Sequence, residues 1–346
     1  MMRGEKPMIV GVDLGYGWIK ATNGERQVRF PAVVCDAHEL IMADLFQSPE
    51  YEAFIETASG TRRVFVGELA RREGVTALNL ATKKYEDGDT EALWLVTLAL
   101  LGQEGEPLHV VTGLPLAHFE SQREALKERL LHLRGRVTVQ DRTMEVAPQS
   151  VRVIPQAMGA MIGTLLDPTT LELRNPAWID QGGYLLLVDV GTRTTGFVTF
   201  ETKPELRLIS RLSDSVDVGV HDLYLALAGI FRQRTGETPP LSDPIYDELY
   251  THGEVYYGGR VVSIEPERSR HMERMGQLIA RRIQEHLGAD AMKRIHTVFL
   301  AGGGYRLAQS VLQQIFPRVY VVPDPQLANA EGYRLYGLTR EGGGTP

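Results

Sequence analysis

Two short turns of the pattern Asp-x-Gly carry the residues best suited to chemistry, and each follows a run of apolar residues. The first turn contributes Asp13, Gly15, Tyr16, Gly17 and Lys20, and the second contributes Asp189, Gly191, Thr192, Arg193 and Thr194. Because glycine has no Cβ, the N–H groups of such turns can approach phosphate oxygens. Aspartate at the strand end can hold hydrated Mg²⁺ through water, and lysine supplies positive charge for a phosphate. The pair of turns therefore predicts a nucleotide held between two related domains.

The residues around these turns exclude two common phosphate motifs. No G-x-x-x-x-G-K-[ST] stretch follows the first apolar run, so the first turn is not a P-loop. Gly15 and Gly17 lead into Trp18 and Ile19 rather than opening a helix, which excludes the dinucleotide-binding fingerprint. Apolar and polar residues alternate after each turn, which is typical of a returning strand. Both turns are therefore predicted to be the tips of β-hairpins.

A third glycine turn follows the apolar run at 297–300 and consists of Gly302, Gly303 and Gly304. The backbone of this turn is a candidate to support the edge of an adenine ring, although a tight connection between a strand and a helix would use the same residues. Gly219 fits two positions equally well, the ribose side of the cleft and the start of a helix. These glycines complete the set of candidate nucleotide contacts.

Each candidate residue also has a simpler structural role. Asp13 and Asp189 can cap hairpin turns, and Lys20 can be an ordinary strand residue. Tyr16 is a candidate for packing as well as for nucleotide contact, and Arg193 can be a solvated turn residue instead of a phosphate ligand. The matching glycines of the two turns favour the Mg²⁺ role for the two aspartates and phosphate contact for the lysine.

The composition is that of an ordinary soluble globular protein, with 346 residues, 43% hydrophobic and 23% charged. A net charge of −7 argues against direct binding of nucleic acid, and basic pairs such as Arg71-Arg72 are interpreted as solvated faces. Cys35 is the single cysteine, and the histidines show no metal-ligand spacing. The N-terminal residues lack a secretory signal, and the longest apolar stretch, 93–101, is too short to span a bilayer. We therefore expect a cytoplasmic protein without membrane contact.

The elements that must position the turns can be predicted from periodicity and end signals. In the first half we predict a helix over 90–101, a strand over 108–115 and a helix that begins with a capping box at Ser121–Glu124. A strand at 151–154 is expected to lead through a proline directly into another helix. A small segment with a hairpin, 35–74, is expected to be inserted between sheet elements.

The second half repeats the strand-rich start of the first, which favours duplicated α/β units. The loop-like segment 175–183 is predicted to mark the boundary between them. We predict a strand over 206–212, a helix over 220–231, a hairpin around Gly258-Gly259 and a helix over 275–287.

These motifs together resemble the superfamily that contains actin, Hsp70 and the sugar kinases. The matching stretches are Asp13–Lys20, Gln156, Asp189–Gly196, Ala301–Gly304 and Asp324–Tyr333, in the order of that family and over essentially the whole chain. Within the superfamily the chain is most similar to bacterial and archaeal actin-like proteins of the ParM/StbA plasmid-segregation type. The stretches that carry this similarity are Val10–Gly17, Phe65–Ala70, Val111–Pro115 and Ala328–Gly332.

The resemblance implies a duplicated α/β fold of the actin-like, ribonuclease H-like type, with a nucleotide cleft between two domains. Domain I would comprise 1–165 plus 325–346, with a subdomain inserted at about 35–75. Domain II would comprise 180–324, with a subdomain inserted at about 223–267.

The resemblance also implies a function. The chain would be an ATPase, with GTP as an alternative nucleotide, that binds Mg²⁺ through water on Asp13 and Asp189 and polymerises with itself. It would move plasmid DNA through a separate adaptor bound to centromere-like DNA. ParM-like proteins often carry Glu where this chain has Gln156, and because Gln is a poor base we assign it the positioning of water. The alternative is a kinase of small molecules, such as sugars, that does not polymerise.

Overall fold

The computed structural model describes residues 8–39, 51–74 and 87–341 of the chain. The first half contains β1 (Met8–Leu14), β2 (Trp18–Thr22), β3 (Gln27–Pro31), β4 (Val34–Asp36), β5 (Tyr51–Thr57), β6 (Gly60–Val66), α1 (Glu68–Glu73), α2 (Gly88–Leu101), β7 (Leu108–Leu114), α3 (Leu116–Leu131), β8 (Gly135–Val139), β9 (Arg142–Val146), β10 (Ser150–Pro155) and α4 (Gln156–Leu165). The second half contains α5 (Ala177–Asp180), β11 (Tyr184–Val190), β12 (Thr195–Glu201), β13 (Arg207–Leu208), β14 (Asp214–Val216), α6 (Val220–Thr235), α7 (Ile245–His252), β15 (Glu254–Tyr257), β16 (Arg260–Ser263), α8 (Glu265–Arg294), β17 (Ile295–Ala301), α9 (Arg306–Ile315), β18 (Val319–Val321) and α10 (Ala328–Glu341).

Two of the sheets share one topology. The first has the order β10-β7-β1-β2-β3, and the second has the order β18-β17-β11-β12-β13, with β14 also paired to β12. In each sheet a hairpin (β1–β2 or β11–β12) is antiparallel, whereas the strand on its other side (β7 or β17) runs parallel to the first hairpin strand. This repetition confirms the predicted duplicated α/β fold.

Smaller elements are attached to these two sheets. The predicted inserted hairpin is present as β5–β6, but its sheet has the order β4-β6-β5-β8-β9 and so includes two strands from a later part of the chain. Residues 40–50 of the predicted insertion lie outside the described residues. In the second half the hairpin predicted around Gly258-Gly259 is confirmed as β15–β16. The domain limits drawn from the sequence stay a prediction.

Helix α2 explains the longest apolar stretch of the sequence. Every residue from Ala92 to Leu101 is buried, because the helix lies between the first sheet and the smaller sheet that contains β8 and β9. A helix that is apolar on all sides is expected where both of its faces are covered. Within the described ranges, no helix combines the length and the apolar character that crossing a membrane requires.

Three local predictions were wrong. Ser121 does not cap a helix, because α3 begins directly after Pro115 and the Ser121 hydroxyl donates to the His118 carbonyl within the helix. The segment 175–183 contains the one-turn helix α5. The strand predicted over 206–212 is reduced to β13, since the chain then turns through a 3-10 helix at Ser210–Leu212.

Helices α4 and α10 cross between the two large sheets and bring the halves together. They approach closely because both carry glycine at the crossing, where a Cβ on Gly332 would lie 1.7 Å from the Gly159 carbonyl oxygen. On the other side of α10, a Cβ on Gly11 would lie 2.0 Å from the Ala330 carbonyl oxygen, so helix and β1 also touch backbone to backbone. The N-terminus of α4 and the start of α10 therefore reach the space between the two hairpins.

Candidate nucleotide-binding site

The two predicted phosphate turns are hairpin tips, as expected, and they have the same internal geometry. The Gly15 N–H donates to the Trp18 carbonyl at 3.1 Å, and the Gly191 N–H donates to the Thr194 carbonyl at 2.9 Å. The tips also meet, because a Cβ on Gly17 would lie 2.6 Å from the Thr192 hydroxyl oxygen. Only a residue without a side chain allows this approach of the two halves.

Asp13 is buried and has two partners that the fold brings to it. It stands opposite Lys20 in the register of the first hairpin, and the Lys20 Nζ lies 2.8 Å from Asp13 Oδ2. The second partner is Gln156, the first residue of α4, whose Nε2 donates to Asp13 Oδ1 at 3.0 Å. The three residues predicted to bind metal, phosphate and water therefore form one hydrogen-bonded group.

Asp189 is equally buried, but its hydrogen-bond partner is neutral. Asn329, at the start of α10, donates from Nδ2 to Asp189 Oδ2 at 2.7 Å, and its own Oδ1 accepts from the Ala160 N–H at 2.9 Å. Burial and the nearby Asp13 charge raise the pKa of Asp189 to about 6, against the smaller lowering effects of Asn329 and Lys20. Asp189 is therefore a carboxylate that a cation would strongly stabilise.

The third glycine turn packs against Asp189. Gly302 has φ 81°, and a Cβ there would lie 2.4 Å from Asp189 Oδ1. The Gly304 N–H donates to the Val190 carbonyl at 2.9 Å, which ties the turn to the end of β11. Glycine at 302 is thus required both by the backbone conformation and by the proximity of the carboxylate.

Gly219 lies behind the second phosphate turn, where a Cβ would be 2.5 Å from the Thr192 carbonyl oxygen. It precedes α6, whose first N–H groups, from Val220 and His221, donate to the carbonyls of Gly191 and Thr192. The helix start therefore holds the turn in place from behind. This arrangement favours the helix-start role of Gly219 over a ribose contact.

A cleft of about 420 Å³ opens between the two hairpins. It is lined by nearly all of the predicted contacts, which are Asp13, Gly15, Tyr16, Gly17, Lys20, Gln156, Asp189, Gly191, Thr192, Arg193, Thr194, Gly302, Gly303 and Gly304. The volume falls in the range of pockets that bind small organic ligands.

Arg193 spans the cleft between the two turns. Its guanidinium carbon lies 5.3 Å from the centre of the Tyr16 ring, within the range of a cation–π contact. Burial raises the pKa of the Tyr16 hydroxyl, and the neighbouring Arg193 charge partly opposes that shift. The partly exposed arginine therefore contacts the first half of the chain from the second.

The sequence interpretation missed a second connection across the cleft, at Arg71 in α1. The Arg71 Nε donates to the Ser242 carbonyl at 2.6 Å, and its Nη2 lies 2.7 Å from Asp247 Oδ2 in α7. The other oxygen of Asp247 accepts from the Tyr224 hydroxyl. The Arg71 side chain is only 7% exposed, so its interpretation as part of a solvated face was wrong. No local signal could identify this connection, because Ser242 and Asp247 lie more than 170 positions away in the sequence.

The residues of the cleft fit a hydrated Mg²⁺. Asp13 and Asp189 offer hard oxygen ligands from two sides, and Asp189 has no cationic hydrogen-bond partner among the described residues. In the described ranges no group of three or more His, Cys, Asp or Glu residues is arranged to hold a metal ion. A cation between the two aspartates would therefore retain much of its water, as Mg²⁺ usually does.

Comparison with protein families gives matches in both halves of the chain. Residues 11–159 match the family model described as the N-terminal domain of actin-like proteins. Residues 187–314 match the model described as the C-terminal part of an archaeal, MreB-like actin homologue.

Individual relatives match over nearly the whole length. An archaeal actin homologue of Thermoplasma acidophilum is 27% identical, over 94% of this chain and 98% of the relative. Its counterpart in Thermoplasma volcanium is 26% identical, again over 94% of this chain and 98% of the relative.

Solved structures agree on the fold. A 15-stranded ParM filament from Clostridium botulinum has a TM-score of 0.83 at 23% identity, covering 97% of this chain and 100% of the filament subunit. An archaeal actin homologue solved in complex with ADP has a TM-score of 0.75 at 23% identity, covering 96% of this chain and 99% of that one.

Proposed function

We propose that this chain, which belongs to the actin-like proteins, hydrolyses a nucleoside triphosphate in its interdomain cleft and polymerises in a nucleotide-dependent way. One observation carries the proposal: Lys20, Asp13 and Gln156 form a single hydrogen-bonded group at the tip of the first glycine hairpin. The second hairpin places Asp189 on the opposite side of the same cleft. Such a group can bind phosphate, hold a metal ion and orient water at one place.

Gln156 has a defined orientation for this task. Because its Nε2 is hydrogen-bonded to Asp13, its Oε1 remains to accept a hydrogen bond from a water in the cleft. The side chain would hold that water in line with the γ-phosphate rather than remove its proton. Gln156 is thus proposed as a positioning residue.

The remaining residues stabilise charge. Lys20 and the N–H groups of the two turns would bind phosphate oxygens, which become more negative as the bond to the leaving group breaks. Mg²⁺ on Asp13 and Asp189 would neutralise part of the charge on the phosphate oxygens. The water oxygen bonds to the γ-phosphorus, the bond to the bridging oxygen breaks, and the nucleoside diphosphate leaves with the electron pair. Phosphate departs in its hydrogen form, and one proton passes to the surrounding water.

Filament formation is the second part of the proposal. One structural relative is described as a ParM filament, and another was solved with ADP, so the fold of this chain occurs in both contexts. Nucleotide bound by both hairpins would favour the closed arrangement of the two halves, and hydrolysis would relax it. We propose ATP as the preferred nucleotide, with GTP as the alternative.

The proposed cargo is plasmid DNA, contacted through an adaptor on centromere-like DNA. The net charge of −7 supports an indirect contact, because a protein that grips DNA directly usually presents basic surface. The proposed location is the cytoplasm.

The test combines sedimentation, negative-stain microscopy and phosphate release, with Mg²⁺ and ATP, GTP, ADP or no nucleotide. We expect filaments only with triphosphate, and phosphate release that follows polymer. Gln156→Ala should slow phosphate release about 100-fold while nucleotide-dependent filaments persist. Gln103→Ala, which alters an exposed glutamine before β7, is the matched control.

Two results would contradict the proposal. Absence of polymer at all salt and protein concentrations would remove the filament function. ATP turnover that requires an added small alcohol would indicate a kinase on the same fold instead.

A further inference from the structure

A second, smaller cavity of about 40 Å³ lies behind the first phosphate turn. Gly15, Tyr16 and Gln156 line both this cavity and the nucleotide cleft. Its far wall includes Trp94 from α2 and Gln122 from α3. The cavity is therefore separated from the phosphate site by the residue proposed to position the attacking water.

Trp94 and Gln122 each bury a polar atom that has no hydrogen-bond partner among the described residues. The atoms are the indole Nε1 of Trp94 and the Oε1 of Gln122, on side chains of residues that are 4% and 5% exposed. An indole N–H can only donate a hydrogen bond, and an amide oxygen can only accept one. Leaving such atoms unpaired is unfavourable, because each loses its hydrogen bond to water on burial and gains none in return. The two atoms are complementary to one molecule that can both donate and accept.

The size and chemistry of the cavity point to water. A buried water needs about 10–15 Å³ of comparable volume and two or more polar partners, and this cavity exceeds that volume. Thr112 adds a third polar group to the lining, with a hydroxyl that already donates to the Val12 carbonyl and can still accept. His118 also lines the cavity and can donate or accept a hydrogen bond through its imidazole, and the lining contains no Asp, Glu, Lys or Arg side chain that would favour an ion.

We propose that this cavity is an internal hydration site that supplies water to Gln156. The role of this water in catalysis rests on the proposed hydrolase function. The existence of the hydration site depends only on Trp94 and Gln122. Water held there needs to pass only Gln156 to reach the γ-phosphate, since that side chain borders both spaces. The supply would persist when the cleft closes on nucleotide and excludes bulk solvent.

The first test is a high-resolution crystal structure of the full chain with ADP. We expect ordered water within hydrogen-bond distance of Trp94 Nε1 and Gln122 Oε1. An empty cavity in the wild-type protein would overturn the proposal. The presence of ordered water can be observed whether or not the protein hydrolyses nucleotide. A protein that hydrolysed no nucleotide would contradict the proposed function, but the crystal structure would still show whether the hydration site exists.

The second test separates kcat from KM. Trp94→Phe removes the donor and Gln122→Leu removes the acceptor, and each should lower kcat for ATP about tenfold with KM nearly unchanged. Gln122→Asn keeps an uncharged amide oxygen in the wall of the cavity and should retain more of kcat than Gln122→Leu. Trp178→Phe, on α5 against Phe299, is the matched control for loss of an indole.

Thermal unfolding of each variant establishes that it is folded before kinetics are measured. Equal kcat for Trp94→Phe, Gln122→Leu and Trp178→Phe would show that the cavity, even if hydrated, supplies nothing to the reaction, and the proposal would fail.

Discussion

The two phosphate hairpins have the same backbone but differ in how their aspartates are neutralised. Each turn is closed by a hydrogen bond between the same relative positions, and each hairpin has a parallel strand on the same side. Asp13 is paired with the ammonium of Lys20, whereas Asp189 accepts a hydrogen bond from the neutral amide of Asn329 and, within the described ranges, from no cation. The repeated fold therefore gives both turns the same backbone geometry. The side chain that partners each aspartate, Lys20 or Asn329, determines the electrostatics of each half.

The difference divides the work of the cleft between its two halves. The first hairpin carries its own cation, and Gln156 from α4 is hydrogen-bonded to its aspartate, so the charge of Asp13 is compensated before ligand binds. Asp189 in the second hairpin is raised in pKa to about 6, so its ionised form is poorly stabilised in the ligand-free protein. Binding of a cation would supply the positive charge that Asp189 lacks. The second hairpin is thus expected to respond to metal more strongly than the first.

The largest effect is expected from removal of the cation of the first hairpin. Lys20→Met would leave the Asp13 carboxylate buried close to Asp189 without a positive partner, which should lower the free energy of unfolding by about 4 kcal/mol. Urea unfolding at pH 7 without nucleotide or Mg²⁺ measures this loss. The double variant Lys20→Met/Asp13→Asn should recover most of it, because the unpaired charge is then absent.

Lys127→Met, at a half-exposed position of α3 where the lysine pairs with Glu124, is the matched control for Lys20→Met and should be close to neutral. A loss below about 1 kcal/mol for Lys20→Met would be typical of a solvent-screened surface pair. That result would show that the pairing of Asp13 with Lys20 does not distinguish the first hairpin from the second.

The second prediction concerns Asp189 and pH. Its pKa in the folded protein is about 6, against an ordinary value of 3.8, so the unfolded chain ionises first. The free energy of unfolding of the ligand-free protein should therefore fall as pH rises from about 4 to about 6, by up to about 3 kcal/mol from this group. Asp189→Asn should abolish that part of the slope and stabilise the protein above pH 6. Chemical unfolding at a series of pH values measures both effects.

The same variant should lose Mg²⁺-dependent nucleotide binding, which a titration with labelled ADP can follow. Asp290→Asn, on the exposed face of α8, provides the control for a lost carboxylate. An Asp189→Asn protein that is less stable than wild type at pH 7 would show that the carboxylate is ionised and well stabilised even without metal. The proposed division between the hairpins would then be wrong.

The sequence was informative where one short segment contains all the residues of a feature. Asp13 and Lys20 lie on the two strands of one hairpin, so their spacing alone indicates that they face the same place. Gln156 could be placed because α4 begins directly after the proline that ends β10. In the same way, the helical period at 275–287 was sufficient to identify α8.

The sequence failed where packing between distant segments decides the outcome. The capping box at Ser121 had the right residue types, but α3 already begins directly after Pro115, which lies six residues before Ser121. Arg71 resembled a surface arginine, because nothing near it in the sequence indicates that Asp247 will be brought within hydrogen-bond distance. The unpaired atom of Trp94 is likewise visible only once α2 and α3 are packed together.

A smaller effect is expected at the cleft opening, where the two halves are joined by Arg71. Arg71→Ala removes its bonds to Ser242 and Asp247, so the halves should separate more easily and release ADP about tenfold faster. Stopped-flow release of fluorescently labelled ADP measures the rate. The matched control is Arg72→Ala, which alters the exposed neighbour bound to Glu73. Equal release rates for the two variants would mean that the hairpins alone retain nucleotide.

The smallest effect, and the most direct test of contact between the hairpins, concerns Arg193 and Tyr16. A partly exposed cation–π contact contributes about 0.5–1 kcal/mol, so Arg193→Ala should lower stability by that amount and weaken ADP binding about threefold. Tyr16→Phe keeps the ring and should keep the contact, whereas Tyr16→Ala should remove it. A double-mutant cycle of Arg193→Ala and Tyr16→Ala, measured by urea unfolding, isolates the pair. A coupling energy near zero would show that Arg193 and Tyr16 do not link the hairpins. The close approach of Gly17 to Thr192 would then be the contact that couples the two hairpins.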